Sequence, residues 1–195
     1  MPRRTHLVGI AIALFCCFGI TRADDKPAAP APPYHGEPAV TIGEMRVQTV
    51  PAMTYLHTEA NTSFKAMADP VKAAFDKVFA AVMAGNLHTS RTMMVYQGNP
   101  HLDPQKDFRV EVGVVLWADL SEAPEGLKVR KTEPFKCVSI LYTGPVNRQG
   151  EAYQKLIPAM NAAGHKPTGE EREQCLYWEG MESPNNVFIM QIGIK

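Results

Sequence analysis

The sequence predicts an α+β fold: tandem β-α-β-β repeats with pseudo-twofold symmetry, antiparallel sheets forming a central cleft, and helices on the outer side. Three observations predict it. Strand–helix–strand–strand patterning occurs twice, over about 41–120 and 127–195. The halves also share short matches at nearly one spacing. Ala84-Gly85 matches Ala163-Gly164, 79 residues on, and the apolar helix stripes begin at Phe75 and Tyr153, 78 apart. Val110-Glu111-Val112-Gly113-Val114 matches Met190-Gln191-Ile192-Gly193-Ile194, 80 on. Finally, two units are too few for a solenoid or propeller. Each has one sheet face that needs cover, so the sheets are expected to meet across a groove.

The chain has 195 residues, 45% of them apolar, and a formal net charge of +0. That suffices for one domain with a sizeable core. Residues 1–23 read as a signal peptide: Arg3-Arg4, an apolar run from Leu7 to Ile20, then Thr21-Arg22-Ala23 with small residues at −3 and −1. The run is short for a membrane span, so no stable membrane insertion is expected after cleavage. Cleavage after Ala23 leaves 17 basic and 20 acidic residues, a formal charge of −3, and two cysteines, Cys137 and Cys175. Export permits a disulfide between them; two buried thiols are the alternative. Residues 24–40 are Pro/Ala-rich and read as an extended, disordered linker.

The domain is expected over 41–195. Ile42 to Met53 is extended and interrupted by Pro51. Met53, Tyr55 and His57 then share one strand face, with Thr54, Leu56 and Thr58 on the other. Asp69-Pro70 reads as a helix start, Asp69 as N-cap and Pro70 first in the helix. Phe75, Val78, Phe79 and Val82 form its buried stripe, and Gly85 ends it. Strands follow over 91–97 and 108–117, joined by a turn-rich loop, 98–106. In the second half 129–142 reads as one strand with a proline near its start. Helix 152–163 carries the stripe Tyr153, Leu156, Ile157 and Met160, with Pro158 inside it as a kink. Strands 171–179 and 187–195 complete the unit.

Glu173 is the candidate site residue. Strand alternation puts it on one face with Cys175 and Tyr177. A carboxylate among apolar side chains is desolvated and wants a cation or a proton donor; a surface ion pair with Arg172 or Lys166 is the alternative. Candidate walls are Tyr55, Tyr96, Trp117, Tyr142, Tyr177 and Trp178, whose ring faces suit flat and cationic ligands. Core packing is the competing role for each. At a spacing of 80 from Glu173 stands Met93, so the groove is expected to carry an acid on one half and adaptable thioethers, Met93 or Met94, on the other.

The residues carry a family resemblance. Phe108-Arg109-Val110-Glu111-Val112-Gly113-Val114, the Tyr142-Thr143-Gly144-Pro145 break, Gly150-Glu151-Ala152-Tyr153, Gly164 and Arg172-Glu173 are similar to the GyrI-like, or bacterial regulator effector-binding, domain over about Gly43 to Lys195. The resemblance implies paired β-α-β-β units around a cleft, and a binding carboxylate just after an arginine, which is Glu173 here. The family's tyrosine two residues later is replaced by Cys175, with Tyr177 nearby. The implied partner is a small molecule, lipophilic and either cationic or aromatic.

Other functions find less support in the sequence. There is no basic stripe, zinc-finger spacing or helix-turn-helix, so no nucleic-acid partner is expected. The histidines show no metal-ligand spacing, so no metal site is predicted. No nucleophile elbow or phosphate-binding glycine loop occurs, and no cofactor is expected. Two alternatives stay open. Some GyrI-like proteins resemble hydrolases of electrophilic small molecules. Glu173 would then be the general base, with Tyr142 or Tyr177 assisting. The haem-binding SOUL-type proteins resemble the same duplicated fold, with His57 or His165 as axial candidates. Oligomeric state is not legible.

Overall fold

The computed structural model describes residues 39–195. The expected signal peptide and all but the last two residues of the expected linker lie outside them. The elements run β1 (Thr41–Ile42), β2 (Arg46–Val50), β3 (Thr54–Thr62), α1 (Ala68–Ala84), β4 (Thr89–Gln97), β5 (Phe108–Leu116), β6 (Lys128–Lys131), β7 (Phe135–Thr143), α2 (Gly150–Ala162), β8 (Pro167–Tyr177) and β9 (Val187–Ile194). A short 3-10 turn, Val146–Arg148, precedes α2.

The expected elements form, with shifted ends. β3 runs on through Thr62, across residues whose polarity hid the strand. The α1 helix begins at Ala68, and its N-cap is Met67 with no side-chain cap bond, so Asp69 lies inside the first turn and complements the helix dipole there. The α2 helix continues through Pro158. Segment 129–142 is not one strand. It divides at Thr132-Glu133-Pro134, with β6 pairing β3 and β7 pairing β9 and β2. Pro134 has no N–H to donate to a ladder. Thr132 turns the chain instead, donating its N–H to Met53 O at 2.8 Å and accepting from Met53 N at 3.0 Å.

A second correction concerns the sheets. They do not face each other across a cleft. All nine strands join one antiparallel sheet in the order β1-β7-β9-β8-β4-β5-β3-β6, with β2 also on β7. The first half runs β3-β5-β4 towards the middle, the second β7-β9-β8, and β4 pairs β8 from Thr92↔Cys175 to Gln97↔Glu170. Two inner edges with unpaired N–H and C=O groups are thereby satisfied by each other.

The sheet is strongly curled. Laid flat, β6 and β7 would be roughly 29 Å apart at about 4.8 Å per strand. The chain from Lys131 to Phe135 reaches about 14 Å at most. The step from β2 to β3, Val50 to Thr54, crosses the same gap. Both helices cover one face. Val78 and Val82 of α1 pack on Leu56, Val114 and Leu116. Ala152, Tyr153, Leu156 and Met160 of α2 pack with Val138, Ile140, Met190 and Ile192. The other, concave face closes on itself, so Tyr55, Met93, Val95 and Val115 are buried without a helix above them.

Gly113 of β5 makes that curl possible. A Cβ there would stand 2.1 Å from the Leu56 carbonyl oxygen. Gly113→Ala is expected to destabilise the fold by about 1–3 kcal/mol through overpacking against backbone. Gly150→Ala, at the start of α2 where a Cβ meets nothing within 4 Å, should be neutral or stabilising by up to ~1 kcal/mol. Urea unfolding midpoints of the two variants check the contrast.

Candidate functional site

The centre of the helical face holds a buried acidic pair. Glu171 and Glu173 are two apart on β8, so both point to this face, and neither is more than 4% exposed. Arg172 between them points into the concave interior. Its Nε donates to Glu170 at 2.6 Å, and its guanidinium lies 3.9 Å from the centre of the Phe135 ring. The cation nearest in sequence therefore does not neutralise Glu173.

Other groups do. Tyr96 of β4 donates its hydroxyl to Glu173 Oε2 at 2.9 Å, and Tyr153 of α2 donates to Oε1 at 3.1 Å. His101, from the loop between β4 and β5, inserts over the pair. Its Nδ1 bonds Glu171 Oε2, and its Nε2 lies 3.7 Å from Glu173 Oε1. The imidazole is stacked on the Tyr153 ring, centroids 3.5 Å apart and planes 6° from parallel. Phe64, just before α1, and Tyr96 approach it at 4.6 and 5.4 Å. Glu171 Oε1 is buried with no hydrogen-bond partner among the described residues.

Burial pushes the Glu173 carboxyl above its ordinary range; His101 and the two phenols pull it partly back. Burial, and then the charge of Glu173, hold both Tyr96 and Tyr153 well above the usual phenol value. The two hydroxyls thus stay protonated donors. Cross-strand neighbours of Glu173 are Met94 and Met190. The arrangement is a desolvated carboxylate held by phenols, with a flat ring already stacked in front of it.

The expected site residues separate. Glu173 and Tyr96 meet. Tyr55 and Met93 lie on the concave side, the Tyr55 hydroxyl donating to Met93 O at 2.9 Å. Tyr142 sits under α2 and donates to Pro145 O at 2.6 Å. Tyr177, 39% exposed, donates to Glu179 at 2.7 Å. Trp117, 75% exposed, bonds Thr89 O at 3.1 Å and lines a shallow surface cleft of about 250 Å³ with Ser90, Arg91, Asp119 and Lys131. Trp178 packs at the edge of the α2 core. Among the histidines weighed for haem, His57 is buried against Tyr55 on the concave side. His165 follows the end of α2. Cys137 and Cys175 are not bridged to each other, and strand alternation places them on opposite faces.

The spacing of 80 also misplaces the counterpart of Glu173. Val110 and Met190 match at that spacing, yet they pair with Tyr96 and Glu173. By strand pairing, Tyr96 stands to Val110 as Glu173 stands to Met190, and Tyr96, 77 residues before Glu173, bonds it directly. His101, Glu171 and Phe64 gave no sequence signal. Tyr153 had one, as the head of the α2 stripe, but read as core.

On the concave side His57, Glu59 and Glu111 bring potential metal-ligand atoms within 4.8 Å of one another. Glu111 is paired to Arg130 at 2.8 Å and Arg109 at 4.0 Å, and Glu59 to Lys128 at 2.8 Å. The two carboxylates of the trio are thus already engaged in ion pairs, with His57 Nε2 3.8 Å from Glu111.

Comparison with known families settles the lineage. The family model described as the GyrI-like small molecule binding domain matches residues 43–193. The chain belongs to this family. The GyrI-like fold is also seen in solved structures. The C-terminal domain of EcmrR superposes with a TM-score of 0.65 at 14% identity, covering 78% of this chain and 98% of that one. SAV2435, solved bound to tetraphenylphosphonium, gives 0.54 at 10% identity, over 78% and 94%. A hydrolase from Listeria innocua gives 0.54 at 11% identity, over 78% and 92%. Comparison with curated proteins finds no match.

A carboxyl whose folded value is raised keeps its proton longer in the folded chain than in the unfolded one. Its unfavourable contribution is absent below about pH 4.5, the ordinary value, and grows as pH rises above it. Glu173→Gln is therefore expected to raise the thermal midpoint at neutral pH. The gain should vanish on acidification below the ordinary value. Melts of both proteins across this window check the sign.

Proposed function

We propose that this GyrI-like domain is an exported binder of a lipophilic organic cation, which seats against Glu173 on the helical face. The observation that carries the reading is the flat imidazole stacked on Tyr153 and held by Glu171, with Glu173 beside it. A ring and two carboxylates are what an aromatic or lipophilic cation needs. The family is one of small-molecule-binding domains, and one protein of similar fold was solved with a lipophilic phosphonium. Export rests on the pattern of residues 1–23. The absence of a helix-turn-helix pattern supports a role without nucleic acid. The matched strand orders of the two halves, meeting at β4 and β8, support an internal duplication with a pseudo-twofold axis between those strands.

In this reading the two halves contribute unequally. Tyr96 supplies a donor from the first, and Glu173 an acceptor from the second. Both acids at the seam, Glu171 and Glu173, thus come from one half, and the other half contributes a phenol.

Fluorescence or calorimetric titration with tetraphenylphosphonium tests the assignment. Binding to the native chain is expected, with affinity at least ~10-fold weaker in Glu173→Gln, equivalent to about 1.4 kcal/mol. Equal affinity in the two proteins would remove Glu173 from the site.

A further inference from the structure

We propose that His101 is a built-in occupant of the ligand position, so that the site is closed by the chain itself and opens when the loop of residues 98–107 lifts. This rests on the reading of Glu173 as the binding carboxylate.

The contacts of His101 are those of a bound ligand rather than of a core residue. One ring face stacks on Tyr153, Nδ1 engages Glu171, Nε2 faces Glu173, and Phe64 and Tyr96 close the sides. The side chain is nevertheless carried on a loop. Antiparallel neighbours such as β4 and β5 need only a two-residue turn, whereas ten residues lie between Gln97 and Phe108. Few main-chain bonds hold the loop. Gly98 N–H donates to Gly169 O at 2.7 Å, and short turns follow at Leu102, Asp103 and Lys106. Gly98 and Asn99 take left-handed conformations, φ 90° and 54°, at the point where the chain leaves the sheet. Asn99 is among the few non-glycine types that tolerate it.

His101 also fills the position incompletely. Both ring nitrogens are directed at carboxylates, yet Glu171 Oε1 remains buried with no hydrogen-bond partner among the described residues, and the approach to Glu173 is 3.7 Å, beyond hydrogen-bond range. An unpaired buried acceptor is a standing cost. A planar cation with several divergent N–H donors, an amidinium or guanidinium on an aromatic ring, would satisfy both carboxylates while keeping the stack on Tyr153. The ligand class that best displaces His101 is therefore an aromatic amidine or guanidine.

Removing the ring tests this. His101→Ala should melt below the native protein, and millimolar imidazole or benzamidine should restore several degrees to the variant. Imidazole should leave the native protein unmoved. Tetraphenylphosphonium should bind His101→Ala at least ~10-fold tighter than the native chain. Adding Glu173→Gln to His101→Ala should abolish the imidazole effect. No stabilisation by either small cation overturns the proposal, as does tetraphenylphosphonium binding that is unchanged or weakened. Rescue by imidazole without tetraphenylphosphonium binding to either protein would keep His101 as occupant and overturn the lipophilic-cation reading instead. If His101→Ala does not fold, His101→Asn, which keeps an N–H for Glu171 and loses the ring, is read by the same criteria.

Discussion

The pairing of β4 with β8 is the contact on which the site depends. Each strand is the inner edge of its own half, and each would expose a row of unpaired peptide groups if the halves stood apart. Their antiparallel ladder sets Tyr96 diagonally beside Glu173. The loop after β4 then hangs directly over the start of β8, where Gly98 bonds Gly169. The α2 helix, packed on the second half, brings Tyr153 to the same carboxylate. A break in this one ladder would part Glu173 from Tyr96 and His101 and leave it only Tyr153.

The acidic pair is an expensive feature to keep. Alternation turns Arg172 to the concave side, where Phe135 and Glu170 hold it. Two phenols and one imidazole must therefore make up for lost water. They do so in part: burial still outweighs them at Glu173, and one oxygen of Glu171 has no hydrogen-bond partner among the described residues. A fold under selection for stability alone would place apolar or amide side chains here. Retaining the carboxylates fits a surface prepared for something that brings its own donors.

The concave face shows the opposite economy. Its polar groups answer one another: Gln174 donates to Gln191 at 2.7 Å, Arg91 donates to Gln174, and Arg130 pairs with Glu111. Curling of the sheet, permitted at Gly113 and tied by the two short crossings near Met53 and Thr132, shuts this face without a helix. The two faces of β8 thus differ in how their charges are met: Arg172 has Glu170 and the Phe135 ring on the concave side, although its Nη1 has no hydrogen-bond partner among the described residues, whereas Glu171 and Glu173 on the helical side rely on phenols and an imidazole.

Local chemistry was legible in the chain. Periodicity fixed both helices, the stripes from Phe75 and Tyr153, and most strands. The matched glycines at 113 and 193 marked the duplication pattern, and an acid among apolar neighbours marked Glu173. Strand pairing was not legible, because register depends on contacts between residues far apart in the chain. Hence the spacing sets Met93 against Glu173, whereas the ladder partner is Met94 and the bonded neighbour Tyr96, and it groups Tyr55 with the site although Tyr55 points to the other face. The loop residue His101 obeyed no period at all. The sequence by itself determined which residues would be strand, helix and buried acid, since those follow from side-chain spacing along the chain. Only the tertiary structure decided what surrounds the acid, since β4 meeting β8 brings Tyr96 and His101, and the packing of α2 brings Tyr153, to a carboxylate far from each of them in the chain.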